Sequence, residues 1–484
     1  MECTISATLR FFAKALSCYK LFYFTTIFVV MSAFFRSALV GALVCCLRLA
    51  LSNAAFAQSS YDFSALDRLL QDSVAKISGT TGGYTLVLIK DGREIYNKTF
   101  TAPGKNFSGD RIVPIASASK WLSAGVVMGM VDDGTWRLDD SAGKFLSYAI
   151  GDKARMTVRQ MFSMTSGIAE DGNSVEDDIL RNSAITLDSA ARAILSLPLA
   201  TAPGGSMAYG GRGMHVAGRC AELASKLTLP TGDAWDTLFA RYVSRPLGLR
   251  LTFFVNAKNP GVAGSVVSSA NEYKIYLQML LNGGVWNGKR ILSESIINEM
   301  KRDQTGGAPI LYSPYQSLAP FVPGVNRNTR YALGHWREVV EAASGEVLES
   351  SSQGAFGFSP WIDWRRNLVG VFSVQSQLLT VEPTYLRMKQ IIRETLDRVT
   401  SVQTLSDEPK VIIAPNPASD ILSIHSLEGA AMLTITNMTG QTVMKCEINS
   451  MPATVDVSSL PNGMYSCRLA LHGRNIVQPL LVLR

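Results

Sequence analysis

Apolar positions change their period several times along this chain, and each change marks an element. Between Asp62 and Ile77, Leu66, Leu69, Leu70 and Val74 recur at three- and four-residue spacing, which predicts an amphipathic helix. Gly83–Ile89 and Glu94–Phe100 read as strands around Asp91-Gly92, a hairpin turn signal. A helix follows from about Ser117 to Asp133, closed by Gly134 and apolar on most sides, so it is expected in the interior. Helical segments and Gly/Pro-rich loops continue to about Thr305. Strand-like stretches return at Tyr331–Val339, Ala355–Ile362 and Asn367–Val374, and a last helix is expected from about Pro383 to Val399. Strands at both ends of a helical middle predict an α+β fold whose sheet draws on both ends of the segment.

The pattern shifts again after a polar stretch at 401–410, which reads as a linker. From 411 to 484 the chain shows short alternating runs, of which Leu433-Thr434-Ile435-Thr436 is the clearest, punctuated by Pro415-Asn416-Pro417 and Leu460-Pro461-Asn462-Gly463. That is the pattern of a small β-sandwich. At the other end, residues 1–57 read as an export signal: basic residues precede apolar runs at Leu21–Phe35 and Ser37–Leu47, and Ala55-Phe56-Ala57 forms an A-x-A cleavage pattern. The segment is long for a signal, and Met31 is a second candidate start. A retained anchor is the alternative, but Arg36 and Arg48 interrupt any continuous span of the usual ~20 apolar residues.

At 484 residues, 47% hydrophobic and 18% charged, the chain is globular and large enough for more than one domain. More than half of its net charge of +7 lies in the first 57 residues, where Arg10, Lys14, Lys20, Arg36 and Arg48 face only Glu2. The remainder gives no reason to expect nucleic acid as a partner. Four of the seven cysteines would leave with the signal. Cys220, Cys446 and Cys467 form neither a disulfide framework nor a metal cluster; Cys446 and Cys467 either pair after export or stay free. The four histidines have no metal-ligand spacing, and no metal, nucleotide or organic cofactor is implied.

The candidate chemistry lies in Ser117-Ala118-Ser119-Lys120. On a helix, positions i and i+3 share a face, so the Ser117 hydroxyl can meet the Lys120 amine. Serine is a weak nucleophile alone, and a desolvated lysine is one group that can take its proton. Ser119 is the rival hydroxyl, but its i+3 partner is Leu122.

Several further segments stand in a known order. Leu138-Asp139-Asp140, Met156–Ile168 (MTVRQMFSMTSGI), Pro203–Gly218, Pro246-Leu247-Gly248-Leu249 and Tyr331-Ala332-Leu333-Gly334 follow the S-x-x-K tetrad. In this order residues 58–400 resemble the serine β-lactamase and penicillin-binding superfamily, nearest its class C-related branch of esterases, peptidases and amidases. The resemblance implies an antiparallel sheet flanked by helices with an all-helical lobe. It implies Ser117 as acylated nucleophile, Lys120 as its proton acceptor and Tyr209 as a proton shuttle whose phenol is lowered in pKa by the lysine. It also implies an oxyanion site from the backbone N–H of Ser117 and one near Ala355. The chain departs from the family at three places. Gly211 stands where many relatives carry asparagine, Met164 stands before T-S-G in place of histidine, and Ser352-Gln353-Gly354 replaces K-T-G or H-x-G. Ser352 cannot supply the cation that would hold a substrate carboxylate, and Gln353 is the candidate polar substitute. His335 is a candidate at the cleft border, whereas His215 and the acidic run Glu176-Asp177-Asp178 read as structural and solvated. An esterase or amidase for a small-molecule or peptide-like substrate is the expectation. The alternatives are a penicillin-binding, D-amino-acid peptidase or β-lactamase activity, or a binding or sensor protein that does not turn over.

The C-terminal unit resembles the type A sorting domain of type IX secretion in Bacteroidetes-type bacteria, through Ala414–Asp420, Gly440-Gln441-Thr442-Val443 and Leu460–Tyr465. The resemblance implies passage through the periplasm to the cell surface or the medium, the secretion machinery as partner, and membrane contact only in transit through the signal.

Overall fold

The computed structural model describes residues 61–170, 178–226, 234–318, 329–406, 412–425, 431–438, 440–450, 452–471 and 474–484. The expected signal, 1–57, lies outside the described residues, as do Glu176 and Asp177. No helix among the described residues is long and apolar enough to cross a membrane.

The first domain is organised by the strand Gly83–Lys90, and its alternation explains the layers. Tyr84, Leu86 and Leu88 point to one face, Val87 and Ile89 to the other, and all five are buried. A strand covered on both faces needs helices on both sides. The first face packs against the helices Ser64–Ile77 and Leu378–Ser406 through Leu66, Leu70, Val381, Tyr385 and Met388. The second meets the larger core, which holds the helices Ser119–Asp132 and Ala270–Leu281. Six antiparallel strands complete the sheet in the order Trp336–Val340, Val347–Ser351, Ser359–Asp363, Leu368–Ser373, Gly83–Lys90, Arg93–Thr101. Thr85 pairs with Thr99 on one side and with Ser373 on the other, so strands from the start and end of the domain lie adjacent. The α+β reading holds.

Several boundaries differ from the sequence reading: the strand expected from Tyr331 begins at Trp336, and the last helix begins at Leu378, ahead of Pro383. Val347–Ser351 is a strand that the pattern did not mark. Residues 355–358 form a turn, with the strand starting only at Ser359; Gly354 N–H bonds Phe358 O and Gly357 N–H bonds Gly354 O, which closes the chain on itself before it can extend. The last helix runs to Ser406, into the stretch read as a linker.

The C-terminal unit has a three-stranded sheet, ordered Ile412–Ala414, Ile421–His425, Ala453–Asp456, and a four-stranded one, ordered Thr442–Ile448, Ala431–Asn437, Gly463–Leu471, Arg474–Val482. Leu422, Ile424, Leu433, Ile435, Leu469 and Leu480 form its own core. Cys220, Cys446 and Cys467 are all free thiols.

Candidate active site

Strand Val113–Pro114 pairs with Val266–Ser268 and then stops abruptly. Ala116 takes a left-handed φ of 45°, the chain tightens into the 3-10 turn Ala116–Ala118, and the helix Ser119–Asp132 begins. Such a φ is costly for a residue with a Cβ and survives only where the surroundings fix it. One fixing contact is the close approach of the loop after Val347–Ser351. A Cβ on Gly354 would sit 2.2 Å from Ile115 O, so only glycine lets that loop touch the turn. Ser352 Oγ also reaches Ser117 O, at 3.2 Å, and Gly334 O, at 3.4 Å.

The turn places Ser117 at the head of a helix stitched to the 262–266 segment. Ser123 Oγ donates to Val262 O at 2.6 Å, and Lys120 Nζ donates to Ala263 O at 2.9 Å. Ser119, the rival hydroxyl, is fully buried and accepts the Val266 N–H at 3.0 Å, which makes it a structural group. Lys120 Nζ lies 2.9 Å from Ser117 Oγ. Burial pushes the lysine down to about 7, against the opposing pull of the Glu170 carboxylate. Close to neutral pH the amine therefore loses its proton readily. A neutral amine can donate to Ala263 O and still offer its lone pair to the serine O–H.

Tyr209 is brought to the same place by a short parallel pairing of Met207–Ala208 with Ile310–Tyr312 and by its own N–H bond to Tyr312 O at 3.0 Å. Met164, where relatives have histidine, contributes its backbone: its carbonyl accepts the Ala208 N–H at 2.8 Å. The Tyr209 ring stacks on Trp336, with centroids 5.0 Å apart, and Lys120 Nζ sits over its face, 4.8 Å from the centroid. One expectation is corrected here. The lysine does not lower the phenol. Burial pushes the Tyr209 pKa well up, opposed only in part by the Ser117 hydroxyl, so Tyr209 stays protonated.

Ser117 opens onto a cavity of about 440 Å³, lined among others by Ala116, Leu180, Val255, Val266 and Phe356, with Arg181 and His215 also on its wall. His215, read above as structural, lies on this wall. His335 does not line it: its ring stacks on Trp121, with centroids 4.6 Å apart, and burial pushes its pKa down to about 4. Gln353 is turned into the protein. Its Nε2 donates to Glu382 at 2.6 Å, and its Oε1 accepts from the Tyr315 hydroxyl at 3.0 Å. Its amide is therefore already bonded and not held open for a substrate carboxylate. Gly211 caps the helix Arg212–Ala224 and gives its N–H to Glu170 at 3.2 Å. Sequence reasoning missed Glu170 altogether. The only signal was its position three residues after T-S-G, and no motif pointed across to the Tyr209 turn.

The sequence model of the beta-lactamase family matches residues 66–311, just over half of the chain, and the chain belongs to that family, whose members are generally serine hydrolases. The model of the secretion system C-terminal sorting domain matches residues 412–482. Among solved structures, a protein described as a beta-lactamase from Bacteroides dorei is 28% identical, with a TM-score of 0.59 over 70% of this chain and 99% of that one. EstCE1, a hydrolase with promiscuous acyltransferase activity, is 17% identical, with a TM-score of 0.54 over 70% of this chain and 98% of its own. The octameric penicillin-binding protein homologue from Pyrococcus abyssi is 15% identical, with a TM-score of 0.51 over 87% of this chain and 97% of its own. The last two share the fold. The sorting domain marks the chain for type IX secretion to the cell surface or beyond, and so for contact with that machinery.

Proposed function

We propose that the domain spanning 58–400 is an exported serine hydrolase that cleaves ester or amide bonds through an acyl-enzyme on Ser117. The observation that carries this reading is the 2.9 Å contact between Ser117 Oγ and a Lys120 amine whose pKa burial brings to about 7. Lys120 takes the serine proton as Oγ bonds to the substrate carbonyl carbon. The oxyanion is received by the N–H groups of Ser117 and Ala355. Neither donates to a backbone carbonyl among the described residues. Each such donor is worth ~2.7–4 kcal/mol in the transition state. Tyr209, protonated, hands its proton to the leaving group and recovers one from Lys120. Water then attacks the acyl carbon by the reverse route.

The cavity wall favours an esterase- or amidase-like activity. It is largely apolar, which suits a small acyl group. Ser352 is neutral and its hydroxyl is engaged with Ser117 O and Gly334 O, so this position offers no charge to a substrate carboxylate, and the cation on the wall is Arg181.

The test is hydrolysis of p-nitrophenyl acetate and butyrate by purified 58–405, beside Ser117→Ala. Turnover should vanish in the variant while its thermal unfolding curve stays nearly unchanged. Equal turnover in both would sink the reading. A stable mass added to Ser117 without turnover would move the domain to the sensor class.

A further inference from the structure

Tyr209 is followed by two glycines, and the room they leave is filled from elsewhere. A Cβ on Gly210 would lie 1.9 Å from Glu170 Oε2 and 2.0 Å from its Cδ, so this carboxylate and a side chain at 210 exclude one another. The same carboxylate accepts the N–H of Gly211 at 3.2 Å, of Arg212 at 3.0 Å and of Gly213 at 3.5 Å. Arg212 in return bonds Ala169 O through its guanidinium. The T-S-G loop and the Tyr209 turn, some forty residues apart, are thus tied in both directions.

We infer that Glu170 is a positioning residue of the active site: it occupies the space Gly210 leaves, holds the Tyr209 turn by its backbone, and sets a negative charge against Lys120. This rests on the Ser117–Lys120–Tyr209 reading. The groups that face the carboxylate are Lys120 from the nucleophile helix, and Tyr209 and Arg212 from the turn it caps. Tyr312 also acts on the Tyr209 phenol, and His215 lies on the cavity wall one turn into the capped helix. Burial pushes Glu170 up to about 7, while the three N–H donors and Arg212 pull it back toward the charged form. Lys120 also stands at about 7, so the two groups titrate in the same range and each biases the other. Removing the negative charge disfavours the lysinium, and Lys120 then loses its proton at lower pH.

The experiment measures kcat and KM against pH for three variants of the exported chain. Glu170→Ala frees the turn and should lower kcat on the order of 10²-fold, with KM changed only a few-fold. Glu170→Gln keeps an acceptor oxygen and the volume. It should recover much of that loss and carry an acid limb of kcat/KM moved to lower pH by on the order of one unit. Gly210→Ala evicts the carboxylate without altering it and should behave like Glu170→Ala. An acid limb unmoved in Glu170→Gln, a glutamine that restores nothing, or wild-type kinetics in Gly210→Ala would each overturn the inference. Ser117→Ala, run in parallel, separates the two claims: if it keeps wild-type turnover, the nucleophile assignment has failed and not the role of Glu170.

Discussion

Two lysines are buried in the first domain, and they resolve the same problem in opposite ways. Lys120 has no exposed surface and touches a hydroxyl and a carbonyl, Ser117 Oγ and Ala263 O. Burial wins there, and its pKa falls to about 7. Lys389, 2% exposed on the last helix, sits 2.7 Å from Glu338 and 2.7 Å from Glu349. Arg393 also pairs with Glu349, through two bonds of 2.7 Å. The two carboxylates outweigh the same burial, and Lys389 is held above the usual lysine range. Desolvation sets the cost of charge; the direct partner decides whether the proton stays. One site therefore has a lysine poised to exchange a proton, and the other a fixed cation that fastens a helix to the sheet.

The comparison can be broken from either side. Lys120→Met should cut kcat/KM by roughly 10²–10⁴-fold, the range of a lost general base, while raising the melting temperature. The unfolded chain holds the lysine proton up to about 10.5, whereas the folded one releases it near 7. The stability gain in the variant is therefore full below pH 7 and shrinks as pH rises toward 10.5, which urea melts at pH 6 and 9 would show. Lys389→Met is expected to do the reverse. It leaves Glu349 with Arg393 but takes from Glu338 its lysine partner, and should cost about 3–5 kcal/mol in a urea titration with kcat/KM little altered. A smaller effect sharpens the contrast without mutation. In the wild type, kcat/KM should rise with pH through about 7 as Lys120 becomes neutral, then stay level until far above it, because Tyr209 keeps its proton. A second, alkaline fall near neutrality would contradict the burial effect on the phenol.

Local periodicity made part of this legible. A short apolar run marked Gly83–Ile89, Asp91-Gly92 marked the hairpin, and i, i+3 spacing allowed Ser117 and Lys120 to meet, with the order of the segments around them lending it weight. What stayed hidden depends on partners distant in sequence. The strand Val347–Ser351 carries Glu349, Ser350 and Ser351, all buried, and no apolar alternation. It is a strand because Lys389 and Arg393 neutralise Glu349 and because Trp364 Nε1 donates to Ser350 Oγ at 3.0 Å. Glu170 was invisible for the same reason: its three donors lie about forty residues on. The phenol was misjudged because charge proximity was counted and the stacking of Tyr209 on Trp336, with the burial it brings, was not.

The thiols carry a consequence for a protein that leaves the cell. Between residues 61 and 406 the sequence has one cysteine, Cys220, which is fully buried on the helix Arg212–Ala224, with burial pushing its thiol up to about 12. A thiol that stays protonated and covered is a poor target for oxidants and for disulfide exchange. The folded domain thus has no internal bridge to form and no exposed, reactive sulfur. Once folded, it keeps that thiol out of reach of the redox potential on either side of the membrane it crosses.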